Sequence, residues 1–282
     1  VGMSPLIDVG TLSAQLGDPN LKLFDASWYL PSESRNAAAE FELAHLPGAR
    51  FFDFDGALSD TASELPHMLP DPQQFQAGLR ALGICAKDRV VVYDGAGVFS
   101  SPRAWWMLRA VWHDAVAALD GGLPAWRAAG HLIETGPART APQGDIVVTP
   151  ARDWIADSAR VHAALEDAAT VVIDARPAAR FEGREPEPRP GLRAGHMPGA
   201  RNLPAGSLIV DGCLLPVAVV RERLDALASA SSPLVFSCGS GVTAALLAWA
   251  ATVAGRPDVA VCDGSWAEWG QPGALPVVTG PA

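Results

Sequence analysis

A single cysteine occupies a position typical of a nucleophile. The apolar stretch Leu234 to Phe236 is followed by Ser237, Cys238 and Gly-Ser-Gly, and a helical pattern begins near Val242. This order predicts a strand, a tight loop and a helix, whose inward-pointing N–H groups would create positive partial charge. A thiol placed there should ionise readily, and the thiolate is the form that attacks. The alternative is that Cys238 is only a small buried side chain.

An arginine cluster lies upstream of this loop. It comprises Arg176, Arg180, Arg184, Arg189 and Arg193, interspersed with Glu182, Glu185 and Glu187. A guanidinium group suits bidentate binding of a carboxylate or another oxyanion. The cluster therefore favours substrate binding, while a solvated loop whose charges pair with each other is the alternative.

His67 lies in a proline-flanked loop, Leu-Pro-His-Met-Leu-Pro. The following Met-Leu-Pro resembles Leu214-Leu-Pro216, which places Cys213 opposite His67. Because the other half of the chain has no histidine at the matching position, His67 is a candidate for proton transfer. The alternative is that His67 is an ordinary loop residue.

The elements that must position these residues occur twice, because the second half of the chain repeats the first. Four landmarks recur in the same order with similar spacing: Asp25 and Asp174, His45 and His196, the loops at Asp94 and Cys238, and Asp120 and Asp263. Features present in both halves are predicted to serve the fold, including His45 and His196. Cys238 is present in only one, and Asp94 in its place could mimic a thiolate but could not accept a sulfur atom.

β-rich runs alternate with helical segments in both halves, which predicts an α/β fold with mostly parallel sheets and helices on both faces. The clearest predicted strands are Leu23–Ala26, Arg89–Tyr93, Thr170–Asp174, Leu234–Ser237 and Val259–Cys262, and the clearest helices are Ser101–Trp112, Asp157–Leu165, Ala218–Ala228 and Val242–Ala254. Residues 136–145 lack periodicity and contain helix-breaking prolines. We therefore expect domains over residues 4–135 and 146–282, joined by a linker.

Composition excludes several classes of protein. A net charge of −10 argues against general nucleic-acid binding, and no apolar run is long enough to span a bilayer. The four cysteines lie far apart, without the close pairs of a zinc site or a redox dithiol. No basic and apolar signal pattern opens the chain, so we expect a cytoplasmic protein with no membrane partner.

Taken together, these motifs resemble the two-domain rhodanese-type sulfurtransferases, and Cys-Gly-Ser-Gly-Val-Thr is similar to the loop of the 3-mercaptopyruvate sulfurtransferase branch. The resemblance extends over nearly the whole chain and includes Asp174-Ala-Arg-Pro-Ala-Ala-Arg180-Phe, Glu185-Pro-Glu-Pro-Arg189 and Asp263-Gly-Ser-Trp. It implies two tandem rhodanese-like domains, of which the first is a catalytically inactive copy.

The resemblance also implies roles for individual residues. Cys238 would be the nucleophile, and Arg180 and Arg189 would bind the carboxylate of the donor. A proton relay would run through Asp55, His67 and Ser240. The loop would cradle the transferred sulfur with Gly239, Gly241, Val242 and Thr243.

The implied reaction moves sulfur from 3-mercaptopyruvate to a thiol such as reduced thioredoxin, or to cyanide, through a Cys238 persulfide. No metal or organic cofactor is expected. Thiosulfate-specific members of the family carry basic residues where Gly239 and Ser240 stand, so the neutral loop favours the mercapto acid. A thiosulfate sulfurtransferase and a persulfide carrier without turnover remain alternatives.

Overall fold

A computed structural model describes residues 3–149, 153–167 and 169–282. Their contacts divide the chain into two compact units, which are not continuous in sequence. The first comprises Val1–Thr61, Leu69–Arg152 and Asp211–Leu214, and the second comprises Ala62–Met68, Asp153–Val210 and Leu215–Ala282.

The first unit contains a five-stranded parallel sheet with the order β1-β5-β4-β2-β3. Its strands are β1 (Leu6–Ile7), β2 (Leu21–Asp25), β3 (Arg50–Phe51), β4 (Arg89–Tyr93) and β5 (Val116–Leu119). Its helices are α1 (Val9–Ser13), α2 (Ala37–Leu43), α3 (Pro72–Ala81), α4 (Ser101–Ala110) and α5 (Gly122–Ala128).

The second unit repeats this topology in the order β6-β12-β11-β7-β8, again with all neighbouring strands parallel. The remaining strands of the chain are β6 (Ile155–Ala156), β7 (Val171–Asp174), β8 (Arg201–Asn202), β9 (Ile209–Val210), β10 (Cys213–Leu214), β11 (Leu234–Ser237) and β12 (Val259–Cys262). The helices are α6 (Ser158–Glu166), α7 (Ala178–Phe181), α8 (Val217–Asp225), α9 (Val242–Val253) and α10 (Ser265–Trp269). The predicted α/β class with two parallel sheets flanked by helices is confirmed.

The alternating pattern forms parallel sheets because each apolar strand is buried beneath helices. Strands β4 and β11, which precede the two loops, are almost entirely buried. Helix α9 is rich in alanine and leucine, both strong helix formers, and most of its residues are buried. Strand β11 and helix α9 therefore hold the intervening loop between two rigid elements.

Most predicted elements differ from the structure only at their ends. Strand β2 begins at Leu21 and ends at Asp25, and helix α4 ends at Ala110 rather than at Trp112. The main-chain N–H of Trp112 still bonds to Arg109, but Trp112 has a φ of 68°, which cannot continue a right-handed helix. The predicted domain boundaries stay a prediction, although residues 144–148 bond to the first unit through Arg80, Ile84 and Gln76.

The histidines common to both repeats serve the fold. The ring of His45 stacks on Phe41 and its Nδ1 lies 2.8 Å from the carbonyl oxygen of that residue. His196 has the same relation to Phe181, with a 3.7 Å centroid separation and a 2.8 Å hydrogen bond. These matching contacts support the prediction that neither histidine takes part in the chemistry.

Candidate active site

Cys238 lies in the loop between β11 and α9, and its side chain is buried. The N–H of Gly241 donates a hydrogen bond to its Sγ over 3.1 Å. Gly241 has a φ of 81°, a left-handed conformation that glycine adopts without steric cost and that lets the chain enter α9 directly. An amide directed at sulfur stabilises negative charge there.

Residues of α10 hold the backbone of the Cys238 loop through hydrogen bonds. The N–H groups of Trp266 and Ala267 donate to the carbonyl oxygens of Cys238 and Gly239, at 2.9 and 2.8 Å. The hydroxyl oxygen of Ser265 accepts from the N–H of Cys238 at 3.1 Å and the hydroxyl donates to the carbonyl oxygen of Cys262. These contacts fix the backbone of the loop at Cys238 and Gly239.

Sequence reasoning missed Ser265, although the repeat contained a signal for it. Ser265 has a φ of 46°, and the corresponding residue of the first repeat is Gly122, with a φ of 52°. Serine in a conformation that favours glycine is strained, and strained residues are common at functional sites.

The first repeat has the same loop backbone with a carboxylate in place of the thiol. Leu123 donates to the carbonyl oxygen of Asp94 just as Trp266 does to that of Cys238. The buried Asp94 carboxylate accepts from four main-chain N–H groups, those of Ala96, Phe99, Ser100 and Ser101, at 2.8 to 3.1 Å. Burial raises the pKa of Asp94, although these hydrogen bonds oppose the change. These contacts agree with the hypothesis that the carboxylate mimics a thiolate.

The loop of the first repeat is also covered by backbone. Gly212 accepts a hydrogen bond from the N–H of Val98 at 2.8 Å, and a Cβ on Gly97 would lie 2.5 Å from the Cα of Gly212. Leu214 donates its N–H to the carboxylate of Asp120. The segment Asp211–Leu214 thus packs directly against the loop that carries Asp94.

Two of the five clustered arginines lie beside the cysteine loop. A Cβ on Gly239 would stand 3.3 Å from Nη2 of Arg180 and 3.9 Å from Nη1 of Arg189. The lack of a side chain at position 239 therefore leaves room for both guanidinium groups next to the residue that follows Cys238. Both side chains are partly exposed, so a ligand can reach them.

The other three arginines have different surroundings. Arg176 is buried against Asp174 and Glu187. Arg193 donates to the carbonyl oxygens of Leu275 and Trp269. Arg184 is exposed and pairs with Glu182 on the surface. The cluster is therefore not a single binding surface, and the expectation of substrate binding narrows to Arg180 and Arg189.

The remaining predicted site residues are distributed between the two units. Ser240 and Val242 are buried in the loop and at the start of α9, and Thr243 is half-buried in the first turn. His67 is buried and belongs to the same compact unit as Cys238. Asp55 belongs to the first unit, where it is exposed and accepts a hydrogen bond from the indole of Trp28 at 3.2 Å. The relay through Asp55, His67 and Ser240 stays a prediction.

No group of three or more histidine, cysteine, aspartate or glutamate side chains within residues 3–149, 153–167 and 169–282 could hold a metal ion. None of the helices in those ranges is both long and apolar enough to cross a membrane.

Comparison with known proteins decides the family. The family model of the rhodanese-like domain matches residues 8–129 and 157–272, once in each repeat. The chain belongs to the rhodanese family. The two rhodanese domains account for the repeated landmarks, for the two sheets of equal topology, and for a cysteine loop that only the second domain retains.

Several sulfurtransferases are similar to this protein over nearly the whole of this chain. The 3-mercaptopyruvate sulfurtransferase of Escherichia coli (strain K12) is 42% identical over 272 residues, which cover 94% of this chain and 95% of that protein. The mitochondrial thiosulfate/3-mercaptopyruvate sulfurtransferase 1 of Arabidopsis thaliana is 43% identical over 97% of this chain and 78% of its own. The crystal structure of SseA from Escherichia coli superposes with a TM-score of 0.85 at 37% identity, covering 94% of this chain and all of that one.

Proposed function

We propose that this protein is a 3-mercaptopyruvate sulfurtransferase that forms a persulfide on Cys238 and releases pyruvate. The observation that carries the proposal is the placement of two guanidinium groups beside Gly239, next to a buried thiol that accepts a main-chain hydrogen bond. A donor with a carboxylate at one end and sulfur at the other matches this arrangement, because arginine binds carboxylates through paired hydrogen bonds. The relatives that bear this activity in their names support the same conclusion.

In the first half-reaction the Cys238 thiolate attacks the sulfur of 3-mercaptopyruvate while Arg180 and Arg189 hold its carboxylate end. A sulfur–sulfur bond forms, the carbon–sulfur bond breaks, and its electron pair leaves with carbon as the enolate of pyruvate. The proton of the donor thiol reaches the enolate carbon, with Ser240 and His67 as the candidates for moving it. The N–H of Gly241 stabilises charge on the cysteine sulfur during the transfer.

In the second half-reaction an acceptor attacks the outer sulfur of the persulfide. The sulfur–sulfur bond breaks, Cys238 returns to the thiolate, and the acceptor leaves as a persulfide or, from cyanide, as thiocyanate. We propose a thiol such as reduced thioredoxin as the physiological acceptor and the cytoplasm as the location. Turnover with thioredoxin compared with a small dithiol at equal thiol concentration tests the acceptor, and equal rates would contradict a specific thioredoxin partner.

Donor preference separates this activity from thiosulfate transfer. The uncharged Gly239 leaves both arginines accessible, and a basic side chain at that position would point at two guanidinium groups. We expect kcat/KM for 3-mercaptopyruvate to exceed that for thiosulfate. A preference for thiosulfate would overturn the substrate assignment while leaving sulfur transfer through Cys238 intact.

The nucleophile is tested by Cys238→Ser, with Cys85→Ser as the matched control. Mass spectrometry after incubation with 3-mercaptopyruvate should show one added sulfur on the wild type and the control and none on Cys238→Ser. Pyruvate release should be lost only in the same variant. Many pyruvate molecules per chain in the presence of a thiol indicate an enzyme, whereas a single one indicates a persulfide carrier.

A further inference from the structure

Glu187 is a buried carboxylate placed between two arginines of the second unit. Its side chain is 2% exposed. It accepts from Nη1 of Arg176 at 2.7 Å, and from Nη2 and Nε of Arg180 at 2.5 and 3.3 Å. The two oxygens of one carboxylate thus bridge two guanidinium groups.

Arg176, the first of these arginines, is held by several contacts. Arg176 is 1% exposed and forms a bidentate pair with Asp174. It also donates to the carbonyl oxygen of Gly195 at 2.9 Å and lies 4.1 Å over the ring of Trp266. Arg176 is therefore a rigid support, and Glu187 is bonded to it.

The other arginine borders the cysteine loop. The Arg180 side chain is 18% exposed, and its Nη2 lies 3.3 Å from the position that a Cβ on Gly239 would take. The Nε and Nη2 edge is bound by Glu187, so the orientation of the guanidinium plane is set before a ligand arrives. An unsupported arginine has several rotatable bonds to order on binding.

The Glu187 carboxylate also compensates the positive charges of the two arginines. Asp174 and Glu187 balance the positive charges of Arg176 and Arg180, which would otherwise repel each other in a buried environment. Arg176 also stacks on the ring of Trp266, and the main-chain N–H of Trp266 donates a hydrogen bond to the carbonyl oxygen of Cys238. The network therefore connects the donor-binding arginine to the α10 residues that hold the nucleophile loop.

We propose that Glu187 is a positioning residue, which holds Arg180 in the orientation that binds the carboxylate of the sulfur donor. The proposal rests on the function proposed above. Glu187 acts through Arg180 and not on the reacting sulfur, so its loss weakens donor binding rather than sulfur transfer itself.

The experiment uses Glu187→Gln, which keeps the size of the side chain but leaves one oxygen for two guanidinium groups. We expect KM for 3-mercaptopyruvate to rise about tenfold and kcat to stay within about twofold. Glu182→Gln, which removes a surface partner of Arg184, is the matched control and should leave both constants unchanged. Glu187→Asp keeps the charge and should give an intermediate KM, which retains a measurement if the amide variant folds poorly.

A double-mutant cycle separates positioning from general structural support. If Glu187 acts through Arg180, adding Glu187→Gln to Arg180→Ala should change kcat/KM by less than about twofold. Full additivity of the two changes would overturn the proposal. So would a fall in kcat with KM unchanged.

A measurement of pyruvate binding tests the role of Glu187 without any sulfur donor. Pyruvate carries the same carboxylate and carbonyl groups, and its occupancy should slow the alkylation of Cys238 by iodoacetamide. We expect the pyruvate concentration that gives half-protection to rise about tenfold in Glu187→Gln, and unchanged protection would overturn the positioning role. If the wild type prefers thiosulfate, the substrate assignment is wrong, while weaker protection by pyruvate still supports the role of Glu187.

Discussion

Asp25 is a buried carboxyl group that is followed two residues later by Ser27, whereas its counterpart in the second repeat, Asp174, is followed two residues later by Arg176. Asp174 pairs with Arg176, whereas Asp25 accepts from the main-chain N–H and the hydroxyl of Ser27, at 2.9 and 2.5 Å, and also has a side-chain hydrogen bond with Tyr93. Burial raises the pKa of Asp25 to about 7, and the charge of Asp94 adds to this. The folded protein therefore keeps a proton on Asp25 under conditions in which the unfolded chain has lost it.

The direction of the stability change follows from this raised pKa. Between the unfolded value of 3.8 and the folded value of about 7 the folded state binds more protons than the unfolded state. The free energy of unfolding consequently falls as the pH rises through this range. A difference of roughly three pKa units corresponds to about 4 kcal/mol lost by pH 8, of which about 2 kcal/mol is already lost at pH 5.

Asp25→Asn removes this titration because the amide resembles the protonated acid. We expect the variant to exceed the wild type in free energy of unfolding, with a difference that grows by about 2 to 3 kcal/mol between pH 5 and pH 8. Urea unfolding followed by tryptophan fluorescence measures it. Asp174→Asn is the matched comparison and should destabilise the protein by about 3 to 5 kcal/mol, because it removes a partner from a buried ion pair. A difference for Asp25→Asn that stays constant over this pH range would refute the reasoning.

Three other outcomes test the site. Gly241→Ala places a side chain at a φ of 81° and should cost about 1 to 2 kcal/mol of stability while lowering kcat, measured by urea unfolding and pyruvate release. Ser265→Gly copies the first repeat, so it should leave stability within about 1 kcal/mol but lower kcat, because the N–H of Cys238 loses its acceptor; unchanged kcat would contradict that role. His45→Ala should reduce stability by about 1 to 3 kcal/mol with kcat/KM unchanged, and a loss of activity in the folded variant would contradict its assignment to the fold.

The repeat made much of the fold predictable, because each clear motif could be checked against its copy. Strand β11 and strand β12 have the predicted bounds, since continuous apolar runs ending at polar residues mark buried parallel strands. The short strands β1, β3, β6 and β8 were not predicted. Each has only two residues, and such a short segment has no periodicity that distinguishes it from a loop.

The sequence predicted which residue types form the candidate site. It did not predict which arginine pairs with which carboxylate or carbonyl group. The family resemblance assigned donor binding to Arg180 and Arg189, whereas charge alone gave no way to distinguish them from Arg176 and Arg193. Which arginine is buried depends on which carboxylate or carbonyl the fold brings to it, as Glu187 shows by bridging two of them. Those contacts depend on tertiary packing, which a linear pattern of charges does not encode.

The segment Asp211–Leu214 has a consequence for how the protein is made. It follows the second repeat's own strand β8 in sequence but belongs to the first compact unit, where Gly212 bonds to Val98 and Leu214 bonds to Asp120. During synthesis the first unit therefore lacks one of its parts until residue 214 has left the ribosome, long after its own sheet can form. No single cleavage between the repeats would release a first half with all of its contacts, so the first half is expected to complete its folding only after part of the second has been synthesised.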